Sequence, residues 1–378
     1  ILVVGWFMIP FIMKLKVTSA YEILESRFGL SIRTLGALFF LSLRLLWMAT
    51  ILYVSSDKIL APTLAIDDNW TPVICAILAA VTILYTSIGG LRAVVATDVV
   101  QTAILLGGAM LTLVLISVHF GGIGWWPDYW QVHWPDPEWS LDPTVRMSFV
   151  GIGISALLWY VCTAGSDQMA IQRYLATRSP RAARRAFVTS MSADVVVATL
   201  LSILGLALLA YFHSQPDLLA EGKTLVEAGD DLFLRFLTTS LPVGVTGLVL
   251  AGLLAAAMSS LSSGVNAVTG VVMKDLIQRF HSGTLSEQQQ LRWLRRLSWV
   301  LGLLIVCLSV YVGEADKRGT ILQTTHTTVN LLVAPLFVPF LLALFVPWAG
   351  NSGCLRGSQC KQLKSSRLGW RARQDSNL

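Results

Sequence analysis

Apolar stretches of about 20 residues alternate with shorter polar segments along most of this chain. A helix needs about that many apolar residues to cross the hydrocarbon core of a bilayer. The pattern therefore predicts an all-α, polytopic membrane protein in which residues 1–349 form a bundle of about nine helices. The predicted spans are 1–13, 34–55, 71–88, 98–118, 147–166, 186–212, 247–275, 297–313 and 320–348. Residues 350–378 are polar and basic, and are expected to form a cytoplasmic tail that is disordered or out of frame.

The charges between the spans alternate from loop to loop. Basic loops lie at 14–33, 89–96, 173–185 and 274–296, and acidic or mixed loops at 57–70, 120–146 and 213–240. Because Lys and Arg collect in cytoplasmic loops, this alternation places Ile1 near the outer face of the membrane and the tail inside. We expect a multi-pass protein of the plasma membrane, or of the inner membrane if the source is bacterial.

The composition supports the membrane class and argues against several others. Hydrophobic residues make up 54% of the chain and charged residues only 13%, which is typical of polytopic membrane proteins. The net charge of +6 would suit nucleic acid, but the basic residues lie in alternate loops and the tail, where they indicate topology. The five cysteines form no CxxC pair, which argues against a metal or disulfide framework. The chain has no HExxH, P-loop or GxSxG motif, so we expect neither an enzyme nor a bound cofactor.

The span from Gly247 to Asp275 carries a run of small and hydroxyl-bearing residues in its middle. Ser259 and Ser260 point about 100° apart on a helix, and Ala256 lies one turn earlier on the same side. Two hydroxyl oxygens and a backbone carbonyl would suit a hard monovalent cation, whereas zinc takes Cys, His and carboxylate ligands. The alternative is that the hydroxyls bond carbonyls of their own helix, four residues earlier.

Four motifs in this sequence resemble those of one transporter family. The first, A-x-x-S-S-L-x-S-x-x-N followed by Asp, is formed by Ala256, Ser259, Ser260, Leu261, Ser263, Asn266 and Asp275. The other three lie at Tyr21–Gly29, Tyr85–Gln101 and Asp167–Leu175. Together they are similar to the motifs of the sodium:solute symporter family, which includes the sodium–glucose, sodium–proline and sodium–monocarboxylate cotransporters.

The resemblance implies the five-plus-five inverted repeat of the leucine-transporter fold, with binding sites between discontinuous helices. On that mapping the chain begins in the second core helix and runs to the tenth. We therefore expect an N-terminally truncated sequence in which the first core helix, a source of sodium-coordinating carbonyls, is missing. The glycine pair at 89–90 is expected to form a tight turn between two spans, and Pro335 and Pro339 to break the last one. The segment Tyr21–Gly29 is expected to be a basic loop with a structural role.

The resemblance also assigns residues to the ion pathway. In the family, the equivalents of Ala256, Ser259 and Ser260 supply part of the coupling sodium site, so sodium is the expected coupling ion. The acid that corresponds to Asp98 lies beside the cytoplasmic exit route of that ion. The alternative for Asp98 is an ordinary cap or first-turn acid at the start of a helix.

Four residues are candidates for the wall of a substrate cavity. Trp159 and Tyr160 are placed to stack on a solute, with helix packing as the alternative. Gln323 and His326 begin a polar face in the last span, where polar groups normally face a bundle interior or cavity; local capping is the alternative. Arg44, inside a span, needs protein, water or an acidic partner unless it snorkels to the interface.

These expectations combine into a sodium-coupled symporter that imports a small organic solute, such as a sugar or a monocarboxylate, with sodium, the solute and the bilayer as its partners. No nucleic acid and no obligate protein partner are inferred. One alternative is the input module of a membrane sensor, which would require a folded cytoplasmic domain larger than 350–378. Another is a non-functional gene fragment of such a transporter. The sequence does not fix the solute, because one scaffold serves many solutes.

Overall fold

The computed structural model of this chain is a bundle of α-helices. It describes residues 2–346 apart from 16, 18, 129–137, 143–147, 220–224, 226–228, 230, 231, 242, 281–285 and 317–320. The side chains of 68, 89–95, 243, 316, 321–331 and 334 also lie outside the description. The tail predicted at 350–378 is not among the described residues.

The helices of the described part are numbered in chain order. They are α1 Ile9–Lys14, α2 Tyr21–Phe28, α3 Leu30–Tyr53, α4 Ala61–Thr63, α5 Thr71–His119, α6 Phe149–Ser166, α7 Gln168–Leu175, α8 Pro180–Ser214, α9 Leu232–Thr239, α10 Val243–Val271, α11 Gln278–Phe280, α12 Glu287–Asp316 and α13 Ile321–Phe345. Wider π-helical turns precede α1, join α3 to α4 and join α10 to α11; they are Val3–Met8, Val54–Leu60 and Val272–Ile277.

Long apolar helices make up most of this bundle. Within the described residues, seven segments are long and apolar enough to cross a membrane: Leu30–Thr63, Thr71–Ile88, Ala96–His119, Phe149–Ser166, Pro180–Ser214, Gly244–Phe280 and Glu287–Ala315. Two shorter apolar segments, Val3–Lys14 and Pro335–Phe345, lie in the first and last predicted spans. Each predicted span therefore overlaps one of these apolar segments.

Helix α5 differs from the prediction of a turn at the glycine pair 89–90, because its helical backbone runs through that pair without a break. Tyr85 and Asp98 nevertheless reach the same turn of α10. The Tyr85 hydroxyl donates a 3.1 Å hydrogen bond to the Met258 carbonyl, and Asp98 accepts one from Ser259. A straight helix would separate residues 85 and 98 by about 20 Å. The helix therefore bends between them, and its two halves form two membrane spans.

Helix α13 also differs from the sequence prediction. Pro335 and Pro339 lie inside it, and the helix continues to Phe345. The expected break is wrong because a proline removes one backbone donor but leaves the neighbouring helical bonds in place. Within a membrane bundle the freed carbonyl groups find other partners, so prolines are tolerated in such helices.

The segment Tyr21–Gly29, predicted to be a loop, is mainly a buried helix. Tyr21 and Leu24 of α2 are fully buried, and Gly29 ends the helix with a φ of +89°, which favours glycine. Close packing explains the helix, because Gly36 of α3 has no side chain to hold α2 away. A Cβ atom at Gly36 would lie 2.9 Å from the Leu24 side chain and 3.2 Å from the Tyr21 ring. The structural role expected for this segment agrees with that burial.

Helices α5 and α10 make the most extensive helix pair in the described part of the bundle. Small residues allow this approach. A Cβ atom at Gly252 of α10 would lie 3.2 Å from the Cα atom of Leu105, and one at Gly108 of α5 would lie 3.4 Å from the Cα atom of Val249. Close backbone approach at small residues is characteristic of membrane helix pairs. This packing fixes the position of α10 against Asp98 of α5.

Candidate functional site

A polar cluster lies where the start of the second half of α5 meets the middle of α10. The Ser259 hydroxyl donates a 2.6 Å hydrogen bond to Oδ1 of Asp98. Ser263, one turn further along α10, donates a longer bond of 3.4 Å to Oδ2 of the same carboxylate. Because residues four apart share a helix face, both hydroxyls reach one acid. Asp98 therefore acts as a tertiary link to α10, and the alternative of a mere first-turn acid does not describe it.

Arg173 of α7 joins this cluster from a third helix. Its Nη2 atom lies 3.3 Å from the Ser263 hydroxyl oxygen, to which it donates a hydrogen bond. The same atom lies 3.8 Å from Oδ2 of Asp98. We call Asp98, Ser259, Ser263 and Arg173 the α5–α10 polar cluster. Its oxygen atoms are hard donors of the kind that suit small cations, and its guanidinium already places one positive charge beside the carboxylate.

The sodium residues predicted on α10 are only partly brought together. Ser259 faces α5, whereas Ser260, the next residue on the helix, is exposed, and Ala256 is half-buried one turn earlier. Ser262, which is not among the predicted residues, bonds within its own helix, where it donates a 3.0 Å hydrogen bond to the Ser259 carbonyl three residues earlier. The alternative of bonding within the helix does not hold for Ser259, whose hydroxyl reaches Asp98 instead.

A second feature is the break between α6 and α7 at Asp167. The backbone of Asp167 is extended, with φ −75° and ψ 126°, and its Oδ1 accepts a 2.8 Å bond from the Met169 amide to cap α7. The other carboxylate oxygen forms an ion pair with Arg44 of α3. Arg44 therefore has the acidic partner that its place in a span requires. Discontinuous helices of this kind build the binding sites of secondary transporters.

A cavity of about 440 Å³ opens beside this break, between α3, α6, α7 and α8. Its wall includes the charged residues Arg44, Asp167, Arg173 and Asp194, and the predicted cavity residue Tyr160. Trp159, the other predicted aromatic, packs against the main hydrophobic core, as its alternative proposed. A cavity of this size is within the range that holds a small organic molecule.

Gln323 and His326 lie in α13, but their side chains are outside the described residues. Their predicted role in the cavity therefore stays a prediction. Sequence reasoning missed Arg173, Ser263 and Asp167 as members of these sites. Their presence in the recognised motifs was the available signal, but it did not show which partners they would meet.

The end of α10 that leads into α11 is held by a buried ion pair. Asp275 accepts a 2.8 Å bond from Nε of Arg33 and a 2.7 Å bond from the Ser19 hydroxyl. The exposed fraction of the side chain is 0% for Asp275 and 7% for Arg33. Asp275, the last residue of the α10 motif, is thus a structural anchor that fixes the register of α10 against α3.

Glu25 of α2 extends this anchor to the surface. It forms an ion pair with Arg33 and accepts a 2.6 Å bond from Nη2 of Arg279. Partial burial raises the pKa of Glu25, but the hydrogen bonds from Arg279 and Arg33 outweigh it, so the pKa lies below its ordinary value. Glu25 therefore stays ionised and bridges α3 to α11.

Comparison with known proteins agrees with this architecture. The sequence matches the family model of the sodium:solute symporter family over residues 1–360. It is 30% identical to the sodium/sialic acid symporter SiaT of Proteus mirabilis, over 94% of this chain and 70% of SiaT. It is 28% identical to the human sodium-coupled monocarboxylate transporter 1, over 92% of this chain and 56% of that protein. The chain thus spans a little over half of the human relative.

A solved structure gives the same result for the fold. The structure of a Na⁺-coupled sialic acid symporter in its substrate-bound outward-open state has a TM-score of 0.77 and 26% identity, and covers 93% of this chain and 71% of that one. The prediction of an all-helical bundle of the leucine-transporter type is confirmed. This chain belongs to the sodium:solute symporter family.

Proposed function

We propose that this chain forms the bundle of a sodium-coupled symporter that imports a small organic solute across the plasma membrane, or across the inner membrane of a bacterium. Sodium would bind at the Ala256 carbonyl and the hydroxyls of Ser259 and Ser260. Sodium is the coupling ion, carried with the solute, and no resident cofactor is involved. The function is one of transport, without enzymatic chemistry.

One observation carries this proposal: the 2.6 Å hydrogen bond from Ser259 to Asp98. A hydroxyl has one proton and two lone pairs. Because the Ser259 hydroxyl donates its hydrogen bond to a carboxylate, its lone pairs can face a cation, and the negative charge behind it makes the oxygen a better ligand. Outer partners orient metal-binding side chains in this way in many sites. Asp98 would thus hold a sodium ligand in place and attract the ion towards the cytoplasmic side.

The cavity beside the α6–α7 break is the proposed place of the solute. Its wall includes Arg44, which is paired with Asp167, and also Arg173, Asp194 and the exposed Tyr160. Guanidinium groups pair with carboxylates through two parallel hydrogen bonds, so we propose a solute that carries an acidic group, such as a monocarboxylate or an acidic sugar. Sialic acid and monocarboxylates, after which SiaT and the human relative are named, belong to the same chemical class.

Transport then follows from differential binding. Sodium and solute would both favour one orientation of the bundle, so that the sodium gradient drives the solute through the alternation of the two orientations. The short break at Asp167 and the bend in α5 are two of the places where the helices depart from straight rods.

The test is uptake by the protein expressed from its complete gene and reconstituted in liposomes. Lactate, pyruvate, sialic acid and glucose, each radiolabelled, are offered under an inward sodium gradient and under a matched potassium gradient. We expect sodium, but not potassium, to drive accumulation of at least one carboxylate. Protein-free liposomes control for leakage. Equal uptake under both gradients for every solute would overturn the proposed function.

A further inference from the structure

Arg173 lies at the boundary between the α5–α10 polar cluster and the solute cavity. On one side its Nη2 atom is 3.3 Å from the Ser263 hydroxyl oxygen and 3.8 Å from Oδ2 of Asp98. On the other side, the same side chain forms part of the wall of the 440 Å³ cavity. The Arg173 side chain therefore borders both the proposed ion region and the proposed solute region.

The two guanidinium groups of the cavity are held differently. Arg44 pairs with Asp167, which also caps α7, and its side chain is 19% exposed. The side chain of Arg173 is 53% exposed, and its 3.8 Å contact with Asp98 is longer than the ~2.7–2.9 Å of a charge-assisted hydrogen bond. Arg173 is thus the more loosely held of the two, and it is the one positioned to exchange partners.

Asp98 cannot serve two cations equally well. A sodium ion on Ser259 would lie near Asp98, because Ser259 is hydrogen-bonded to that carboxylate. Arg173 already places a positive charge beside the same carboxylate. Like charges in a partly buried site repel each other, so a bound sodium ion favours departure of the guanidinium, and a bound guanidinium disfavours the ion.

We propose that Arg173 couples the two regions by exchanging Asp98 for an acidic group of the solute. When an acidic solute enters the cavity, its carboxylate accepts two parallel hydrogen bonds from the Arg173 guanidinium. Asp98 is then left without a competing charge, and sodium binds more tightly. By thermodynamic reciprocity, sodium raises the affinity for the solute by the same factor. This proposal rests on the proposed function and names the residue and the solute class behind it.

The first test uses sodium alone. Sodium affinity is measured by ²²Na⁺ binding to the purified full-length protein and to the variants Arg173→Gln and Arg173→Lys. We expect Arg173→Gln to bind sodium about tenfold more tightly, because the competing charge is gone. Arg173→Lys keeps the charge and is expected to stay within about twofold of the wild type. The control Arg181→Gln removes an exposed positive charge at the start of α8, outside the cavity wall, and is expected to change nothing.

The second test adds solute. Sodium affinity is measured with and without saturating lactate, pyruvate or sialic acid, with glucose as the uncharged comparison. In the wild type we expect at least one carboxylate to tighten sodium binding, and in Arg173→Gln this enhancement falls to a factor of about 1. Arg173→Lys cannot form the two parallel hydrogen bonds of a guanidinium, so this variant is expected to keep only part of the enhancement. Elution of each variant as a monodisperse peak, together with retained sodium binding, shows that it has folded.

The outcomes separate the two proposals. If the wild type shows carboxylate–sodium coupling and Arg173→Gln shows it equally, the role of Arg173 is overturned while the proposed function stands. The same holds if Arg173→Gln binds sodium no more tightly than the wild type. If glucose enhances sodium binding and no carboxylate does, the acidic solute class is overturned. If the wild type binds no sodium at all, the proposed function fails and the role of Arg173 fails with it.

Discussion

The hydroxyl of Ser259 and the carboxylate of Asp98, 161 residues apart in sequence, are joined by a 2.6 Å hydrogen bond. This bond connects the two helices that carry the proposed ion residues. It also distinguishes the two residues, since the Ser259 hydroxyl donates the hydrogen bond and keeps its lone pairs for a cation, while Asp98 supplies the negative charge.

Replacing Asp98 by Asn tests the charge in this pair. The amide keeps the size of the side chain but removes the negative charge that polarises Ser259. Hydrogen bonds to charged groups contribute about 1.5–3 kcal/mol, so we expect sodium affinity to fall by about tenfold or more. The measurement is ²²Na⁺ binding, with Glu287→Gln, an exposed acid at the start of α12, as the control. Unchanged sodium affinity in Asp98→Asn would show that the carboxylate plays no part.

The buried pair of Arg33 and Asp275 makes a prediction about stability. Asp275→Asn or Arg33→Met would break the buried pair, which costs about 3–5 kcal/mol in the free energy of unfolding. The loss is expected to be larger in Arg33→Met, because Asp275 then loses its ion-pair partner, whereas in Asp275→Asn the guanidinium keeps its ion pair with Glu25. The melting temperature in detergent is therefore expected to drop markedly in either single variant. The double variant, which leaves no buried charge, is expected to recover part of the loss. Single variants as stable as the wild type would contradict the assignment of Asp275 as an anchor.

The contact between α5 and α10 predicts different outcomes at two glycines of the same helix. A Cβ atom at Gly252 would meet the backbone of α5 at 3.2 Å, whereas one at Gly247 has no heavy atom within 4 Å. Gly252→Val is therefore expected to destabilise the protein by about 1–3 kcal/mol through overpacking. Gly247→Val is the matched control and is expected to be tolerated. Equal melting temperatures for the two variants would show that the helices do not approach closely at Gly252.

Glu25 predicts how stability depends on pH. Its pKa is lower in the folded protein than in the unfolded chain because Arg279 and Arg33 bond its ionised form. A lowered pKa means that the stabilisation is fully present above the ordinary glutamate value of about 4.3, and is lost as the pH falls below it. Melting temperatures measured from pH 7 to pH 3.5 should fall less steeply in Glu25→Gln. Parallel curves for the two proteins would show that Glu25 does not contribute.

The sequence predicts the apolar helices well, because the length of an apolar stretch determines whether it spans a bilayer. The polar composition of Tyr21–Gly29 predicts a loop, which is wrong for most of the segment. Its burial comes from packing on Gly36 of α3, a contact that the local pattern of residues does not contain. The sequence predicts separate spans on the two sides of the glycine pair in α5, but the predicted tight turn is wrong, because the helix continues through that pair and bends.

The candidate site was predictable only in part. Motif resemblance identified Ser259 and Asp98, but their mutual hydrogen bond depends on the packing of α5 on α10, which no local pattern contains. The partner of Arg44 lies 123 residues away, so the choice between an ion pair and snorkelling needed the fold. The sequence places Arg173 in a basic loop. Its contacts with Ser263 and Asp98 follow from the packing of α7 beside α10, which the sequence pattern does not show.

The central claim is that the α10 hydroxyls bind the coupling sodium ion. The most direct test is sodium-dependent uptake by the Ser260→Ala variant of the complete protein, with Ser298→Ala as the control. The Ser298 hydroxyl donates a hydrogen bond to the Leu294 carbonyl of its own helix. Ser298→Ala therefore removes the same kind of group at a position away from the site. The account predicts that Ser260→Ala loses sodium-driven uptake while Ser298→Ala keeps it. Undiminished uptake with an unchanged sodium requirement in Ser260→Ala would contradict it.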